Sequence, residues 1–479
     1  MLKKHVSGRM VENLGHEPTL SQYDAIEALG EFIVTTEPQQ LFILKGYAGT
    51  GKTTLIGSMV KTLQHFKIKV FLMAPTGRAA KVMQSYSGYP ASTIHKKIYR
   101  QKSADDGVGS FVLDRNLHSD TFFIVDEASM ISNRGGEGSS FGSGRLLEDL
   151  LNYVYPQKRC KLIVCGDLAQ LPPVGLTLSP ALDQKYIASQ GFKVVVKTLT
   201  DIVRQADQSG ILVNASNIRS QISQGKNNFP ALMLEGFADV RKITGTDLLE
   251  EINWAYDHFG MEETKIICRS NKRANKFNQG IRNQILFREE ELSAGDILMV
   301  VKNNYFYTDA FENTDFIANG DIAEVMRIGK QETLYNQRFA HATLRFPDYN
   351  DTELEALLLL DTLQSEAPAL TSEQNRDFYA LIKEDYIHIG NKRKQYEEIR
   401  KNAHFNALQV KFAYALTCHK AQGGQWKAVF IDQGYLTKEM IDREFLRWLY
   451  TAFTRSTEII YLVNFNKEFF EQGSEIENR

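Results

Sequence analysis

The chain has 479 residues, 43% hydrophobic and 24% charged, with 56 Lys and Arg against 58 Asp and Glu for a net charge of −2. That balance excludes a wholly disordered or fibrous chain and a uniformly basic nucleic-acid binder, and the length allows about two to four domains. Cys160, Cys165, Cys268 and Cys418 form no Cys-x-x-Cys pair, which argues against a zinc site or a disulfide framework. The start, MLKKHVSGRM, lacks the apolar core of a signal peptide, and no apolar run nears the roughly 20 residues of a membrane span. The expectation is a cytoplasmic protein that meets no membrane.

Short apolar, β-branched runs recur at Leu41–Lys45, Val70–Ala74, Thr121–Val125, Lys161–Cys165 and Lys193–Val196, separated by helix-length stretches. This alternation predicts an α/β fold with a parallel sheet wrapped by helices. A second set, Lys265–Cys268, Phe412–Leu416, Ala428–Ile431 and Ile459–Val463, predicts a second α/β domain. The boundaries read as 1–205 for the first domain and 206–294 plus 408–479 for the second. Between them, 295–407 changes to short alternating segments and a charged helical stretch near 370–402, read as an inserted small β-barrel with a helical extension. The Gly/Ser-rich segment 132–144 reads as a loop.

Gly46-Tyr47-Ala48-Gly49-Thr50-Gly51-Lys52-Thr53 follows the run LFILK and precedes a helical pattern. It fits G-x-x-x-x-G-K-[ST]. Backbone N–H groups curl around phosphates, Lys52 reaches the β and γ phosphates, and the Thr53 hydroxyl can ligate Mg²⁺. Asp126 and Glu127, after the apolar run Phe122–Val125, supply a metal-holding carboxylate and a base for the attacking water. Together these residues predict nucleoside-triphosphate hydrolysis.

Gln170, in Val164-Cys165-Gly166-Asp167-Leu168-Ala169-Gln170, can sense a γ phosphate from the end of a third strand. With the phosphate loop and Asp126-Glu127-Ala128-Ser129, this order of motifs resembles the superfamily 1 helicases. Further segments match in order. Ser21-Gln22 resembles the glutamine that reads adenine. Ala74-Pro75-Thr76-Gly77-Arg78 and Ser92-Thr93-Ile94-His95 resemble motifs that touch single-stranded DNA. Leu199–Gln205 resembles the segment carrying an arginine finger, here Arg204. Thr417-Cys418-His419-Lys420-Ala421-Gln422-Gly423 is similar to the T-x-H-K-[SA]-Q-G box, and Tyr450–Ser456 to the final box with Arg455 as a second finger.

The pairing of these two boxes with a barrel-like insertion is most similar to the RecD/Dda branch of 5′→3′ DNA helicases. The resemblance implies two RecA-like lobes, an SH3-like barrel in the second, and ATP with Mg²⁺ between the lobes. It implies a nucleotide site of Gln22, Gly46, Ala48, Gly49, Thr50, Gly51, Lys52, Thr53, Thr54 and Gly423. It places DNA against Pro75, Thr76, Arg78, Thr93, His95, Lys96, Thr417, His419 and Lys420, with Phe111 as a strand-separating wedge in a pin-like excursion at about 97–118. Expected partners are single-stranded DNA and forked or tailed duplex, with replication or repair proteins beyond them, for a monomeric enzyme. RNA in place of DNA, and a nucleotide-gated interaction protein in place of a motor, are the alternatives.

Between Gly77 and Lys102 the chain carries Arg78, Lys81, Lys96, Lys97, Arg100 and Lys102 and no acidic residue, a strip suited to phosphates. Tyr86, Tyr89, Tyr99, Tyr305, Phe306, Tyr307, Phe311 and Trp426 are aromatic stacking candidates. Gly424-Gln425-Trp426 stands where many relatives place an acidic residue, and Asn319-Gly320-Asp321 reads as a β-turn within the barrel.

Overall fold

A computed structural model describes residues 2–101, 111–133, 135, 142–157, 159–201, 209–307, 311 and 316–470. It is an α/β P-loop NTPase-like fold: two parallel sheets flanked by helices, with a small closed barrel inserted in the second unit.

The first lobe runs α1 (Leu2–Leu14), α2 (Leu20–Val34), β1 (Gln40–Gly46), α3 (Lys52–His65), β2 (Lys69–Ala74), α4 (Gly77–Ser87), β3 (Ala91–Thr93) and α5 (Ile94–Ile98). A hairpin, β4 (Tyr99–Gln101) and β5 (Phe111–Leu113), precedes β6 (Thr121–Val125), α6 (Leu146–Val154), β7 (Lys161–Gly166), α7 (Gln184–Ser189) and β8 (Lys193–Leu199). The sheet order is β3-β2-β6-β7-β1-β8, all parallel. Strands β6, β7 and β1 are buried along nearly their whole length, as apolar runs covered by helices on both faces must be. Val125 lies opposite Val164 and Lys45 opposite Gly166, so three neighbouring strands end level with one another. The loops that follow them, carrying Asp126, Asp167 and the phosphate loop, therefore share one edge of the sheet, where open α/β sheets bind ligands.

The second lobe begins with α8 (Gly210–Gln224), β9 (Val240–Ile243), α9 (Leu248–Phe259), β10 (Thr264–Cys268) and α10 (Asn271–Gln284). The chain then builds the barrel from β11 (Ile297–Val300), β12 (Ile322–Leu334), β13 (Gln337–Phe346), β14 (Thr352–Leu359), the helices α11 (Ser372–Asp385) and α12 (Lys392–Lys401), and β15 (Leu408–Phe412). It returns through β16 (Ala415–Thr417), α13 (Cys418–Ala421), β17 (Trp426–Asp432), α14 (Arg443–Phe453) and β18 (Ser456–Val463), completing a sheet of order β16-β10-β17-β18-β9.

Two sequence boundaries shift. Phe412–Leu416, expected as one strand of the second lobe, is split. Residues up to Phe412 close the barrel against β11 and β14, and Ala415 onward joins β10 in the sheet. The barrel thus reaches Phe412 and not Ala407. A buried cluster holds the join: Asp296 accepts from Arg282 (3.0 Å), Arg288 (2.7 Å) and Tyr414 (2.9 Å), tying the barrel's root to α10 and to the β15–β16 link. The lobe junction expected near 205 lies outside the described residues.

Among the described residues, no helix is long and apolar enough to cross a membrane, and the four cysteines are buried and unpaired.

Candidate nucleotide cleft and nucleic-acid groove

The phosphate loop turns through Gly49 and Gly51, both at φ +74°, a region that favours glycine. Gly46 is needed for space: a Cβ there would stand 3.1 Å from both the Lys52 side chain and Thr50 Oγ1. Thr50 is fully buried and its hydroxyl donates to the Tyr47 carbonyl at 2.8 Å, which closes the loop on itself. Thr53 and Thr54 stay exposed on the first turn of α3. Gln22 is also fully buried. It accepts from Thr19 N (3.0 Å), completing the cap of α2, and donates to the Thr50 carbonyl (3.1 Å). In this arrangement the nitrogen end of its amide braces the loop and the oxygen end caps α2.

Around Lys52 stand Asp167, Asp126 and Glu127. Burial alone would lower the Lys52 pKa, but these carboxylates together raise it, so the ammonium stays charged. Asp126 accepts from the Tyr86 hydroxyl (2.6 Å) and from Glu127 N (2.8 Å). Glu127 sits at φ +51°, which a non-glycine residue adopts at some cost, and burial pushes its carboxyl above the ordinary range against the opposing pull of Arg455 and Lys52. With its amide nitrogen turned toward Glu127, Gln170 donates to Glu127 Oε2 and accepts from Arg455 Nη2, each at 3.2 Å. Arg455, buried, also donates to the carbonyls of Thr451 and Gly424 at 3.1 Å. The structure thus joins Glu127, Gln170 and Arg455 across the two lobes. Arg204 lies outside the described residues.

Two further cleft residues carried no assignment from sequence. The Tyr450 hydroxyl donates to Asp167 Oδ2 (2.6 Å) and accepts from Ala48 N (2.9 Å). Arg219, on α8, lies 4.5 Å from the Tyr47 ring centroid, and its buried Nη1 has no hydrogen-bond partner among the described residues. Tyr450 sits inside a box that was read for its arginine alone. Arg219 lies in an ordinary amphipathic helix with no local signal. Helix α14 also clamps the loop after β7: Thr451 accepts from Leu171 N (2.9 Å), and Arg447 donates to the Thr177 carbonyl (2.6 Å).

A cavity of about 1320 Å³ opens on the other side, between the tops of both lobes and the barrel. Pro75, Thr76, Arg78, Thr93 and His95 line it from the first lobe, and His419 and Lys420 from the second. Thr76 and Thr93 cap α4 and α5, accepting from Ala79 N (3.2 Å) and Lys96 N (3.1 Å). Burial lowers His95 to about 4, so this ring is neutral near pH 7. Arg78 stacks 4.3 Å from the Trp426 ring centroid and donates to the Gln425 carbonyl (3.3 Å), a cross-lobe contact at the very segment that lacks the acidic residue.

Several expected placements change. Gly423 does not approach the phosphate loop: at φ +76° it lies against α4, where a Cβ would come within 2.7 Å of Ala79 Cβ. Lys96 and Thr417 are not among the cavity's lining residues. The basic strip disperses, with Lys81 paired to Asp348 (2.5 Å), Lys97 over the Phe71 ring (3.5 Å) and Arg100 paired to Asp114 (3.3 Å), while Lys102 lies outside the described residues. Phe111 is buried against Tyr305 of the barrel, with ring centroids 4.3 Å apart, an anchoring position and not an exposed wedge. The span 102–110 between the hairpin strands is outside the described residues. Tyr86 serves Asp126, and Tyr99 donates to Asp149 (2.7 Å). The Asn319–Gly320 turn reaches out of the barrel, where Asn319 accepts from Lys420 at 2.5 Å.

Residues 20–229 match the family described as an AAA domain, and residues 412–463 match the UvrD-like helicase C-terminal domain. Parts of the chain are similar in sequence to DNA helicases of superfamily 1. It is 26% identical to the ATP-dependent DNA helicase dda of Enterobacteria phage T4, over 54% of this chain and 55% of that protein. It is 31% identical to the ATP-dependent RecD2 DNA helicase of Deinococcus radiodurans, over 37% of this chain and 22% of that protein. These curated helicases are thus spanned only in part. An uncharacterised protein of Acanthamoeba polyphaga mimivirus is 22% identical over 89% of this chain and 96% of its own length. Among solved structures, the Pif1 helicase from Bacteroides in complex with ADP-AlF3 and ssDNA aligns with a TM-score of 0.46 at 16% identity, covering 95% of this chain and 94% of that one.

Proposed function

We propose that this chain is an ATP-dependent DNA helicase that moves along single-stranded DNA, 5′→3′, and unwinds forked or tailed duplex. In this reading the two sheets are RecA-like lobes and the barrel an SH3-like insertion. The observation that carries it is the line Glu127–Gln170–Arg455, hydrogen-bonded when the Gln170 amide nitrogen faces Glu127, which ties the hydrolytic end of the first lobe to the second. The Arg78–Trp426 contact joins the same two lobes at the groove. A change in the cleft therefore moves the groove walls relative to one another, which is what an inchworm motor requires.

The phosphate-loop N–H groups and Lys52 bind the phosphates of ATP. The Thr53 hydroxyl and an Asp126 carboxylate oxygen suit Mg²⁺, an ion that takes one or two protein oxygens and completes its shell with water and phosphate. The described residues contain no cluster of three or more His, Cys, Asp or Glu that would hold a metal alone, in keeping with a shared site. When bound, the ion neutralises charge on the β and γ oxygens. Glu127 accepts a proton from the attacking water as the bond to the bridging oxygen breaks, and Gln170 holds that carboxylate in register with Arg455. An arginine finger contributes about 10³–10⁵ in rate in such enzymes.

The test is unwinding of a labelled duplex with a 5′ tail, a 3′ tail or none, in ATP. Separation of the 5′-tailed substrate alone is the expected result. Separation of the 3′-tailed substrate alone would reverse the polarity, and separation of neither, with active ATPase, would remove the helicase assignment.

A further inference from the structure

Arg219 stands at the phosphate loop but belongs to the other lobe. Helix α8 buries Ile211, Ala215, Ile218 and Ile222 in the second lobe's core, a stripe at helical spacing that fixes the helix. Arg219 lies at the edge of that stripe, and its guanidinium is 4.5 Å from the centroid of Tyr47, the second residue of the phosphate loop. Tyr47 packs against the same core, and its carbonyl accepts from Thr50 N at 3.4 Å and from the Thr50 hydroxyl at 2.8 Å. The cation is thus held against the residue on which the loop closes.

A guanidinium stays charged at any working pH, and all its N–H groups are donors. Nη1 of Arg219 is buried with no hydrogen-bond partner among the described residues. Asp167, the acid that shares Tyr47 and Tyr450 with it, is already engaged. Its Oδ2 accepts from the Tyr450 hydroxyl at 2.6 Å and its Oδ1 from Ala169 N at 2.8 Å, with the Lys52 ammonium also acting on it. Burial and Asp167 raise the pKa of both phenols while Arg219 draws it down, so the guanidinium is within electrostatic reach of both rings. A buried charged donor without an acceptor is costly, and an incoming anion offsets that cost.

We infer that Arg219 contacts the terminal phosphate of a bound nucleoside triphosphate and so distinguishes a triphosphate from a diphosphate. The bonds of Tyr450 decide which phosphate it meets. That phenol holds Ala48 N and Asp167, and Asp167 acts on Lys52, the residue suited to the β and γ phosphates. Arg219 stands at that end of the loop and comes from the second lobe, so it meets charge that is present only until the terminal phosphate leaves. Tyr47 is its platform: the ring face holds the guanidinium by cation–π attraction and leaves the planar edge, where the N–H groups point, for phosphate oxygens. Arg455 differs, because its donors already bind the Thr451 and Gly424 carbonyls. The inference rests on the reading of the phosphate loop as an ATP site and adds a second-lobe cation that none of the sequence motifs includes.

The experiment is isothermal titration calorimetry of the full chain with Mg²⁺ and either ADP or the non-hydrolysable β,γ-imido analogue of ATP. Loss of a hydrogen bond to a charged group weakens binding by roughly ten- to a hundredfold. Arg219→Ala should lose about that factor for the imido analogue and stay within about twofold of wild type for ADP. Arg219→Lys should recover part of the loss, because an ammonium keeps the charge without the planar fork. Arg219→Gln keeps most of the stem without the charge; it should match alanine, and it carries the comparison if the alanine variant does not fold. Equal loss for both nucleotides, or no loss for the imido analogue, would overturn this inference alone. Failure of wild type to bind either nucleotide would overturn both the inference and the ATP-site reading beneath it.

Discussion

The hydroxyl of Tyr450, on the second lobe, donates to Asp167 at 2.6 Å and accepts from the backbone N–H of Ala48 at 2.9 Å. One buried phenol thereby spans the loop after β7, the phosphate loop and α14. Burial and Asp167 both hold Tyr450 far above the usual tyrosine range, so it is a neutral donor at any working pH.

Tyr450→Phe keeps the ring and removes both bonds. A buried hydrogen bond to a charged group is worth about 1.5–3 kcal/mol, so the step it supports should slow by about ten- to a hundredfold. Steady-state ATPase in the presence of single-stranded DNA checks this, with circular dichroism to confirm the fold. Turnover within about twofold of wild type would show that the contact is passive.

Glu127→Gln removes the proposed proton acceptor while leaving an oxygen for Gln170. DNA-stimulated turnover should fall by about 10²–10⁴ while nucleotide binding persists. Burial raises the Glu127 pKa, so the carboxylate becomes protonated at a higher pH than a free glutamate would. The acid limb of the wild-type ATPase profile should therefore stand above the ordinary 4.5, with activity lost as pH falls through it. A limb at or below that value would contradict the assignment of Glu127 as the base.

Arg455→Ala should lower DNA-stimulated turnover by about 10³ or more, the scale of an arginine finger. Arg455→Lys should recover only part of it, because an ammonium cannot hold the Gln170, Gly424 and Thr451 oxygens in one planar fork. Equal recovery by lysine would reduce the residue to a point charge.

Much of the cleft was legible because its chemistry is local. The phosphate loop needs its glycines and its lysine within eight residues, and Asp126 and Glu127 end the strand that places them. The groove was legible only in part. Lys81, Lys97 and Arg100 form a strip in sequence, yet α4, α5 and β4 turn their ammonium and guanidinium groups to different neighbours. Gly423 follows the T-x-H-K box, but its positive φ and lack of a Cβ serve contact with Ala79. At Phe412–Leu416 an unbroken apolar run hides a change of sheet, since both the barrel and the lobe bury such residues. Strand β9 is a partly exposed edge, VRKI, too charged to stand out. Tyr450 and Arg219 meet the phosphate loop from far along the chain, a relationship that spacing cannot express.

The joint between lobe and barrel offers a stability test away from the chemistry. Asp296 is fully buried, and its loss leaves Arg282, itself buried, and Arg288 without their shared anion. Breaking one side of a buried ion pair costs about 3–5 kcal/mol. Asp296→Ala should melt well below wild type in a thermal scan, and an unchanged midpoint would mean the pair adds nothing to the joint.

In the proposed motor, closure of the two lobes over ATP is coupled to a nucleic acid held above them. ATPase turnover tests this most directly, measured without nucleic acid, with single-stranded DNA and with single-stranded RNA, with Lys52→Ala as the blank. Strong stimulation by DNA over both other conditions, absent in the blank, is the predicted result. Equal or greater stimulation by RNA would make RNA the track, and no stimulation by either would contradict the coupling itself.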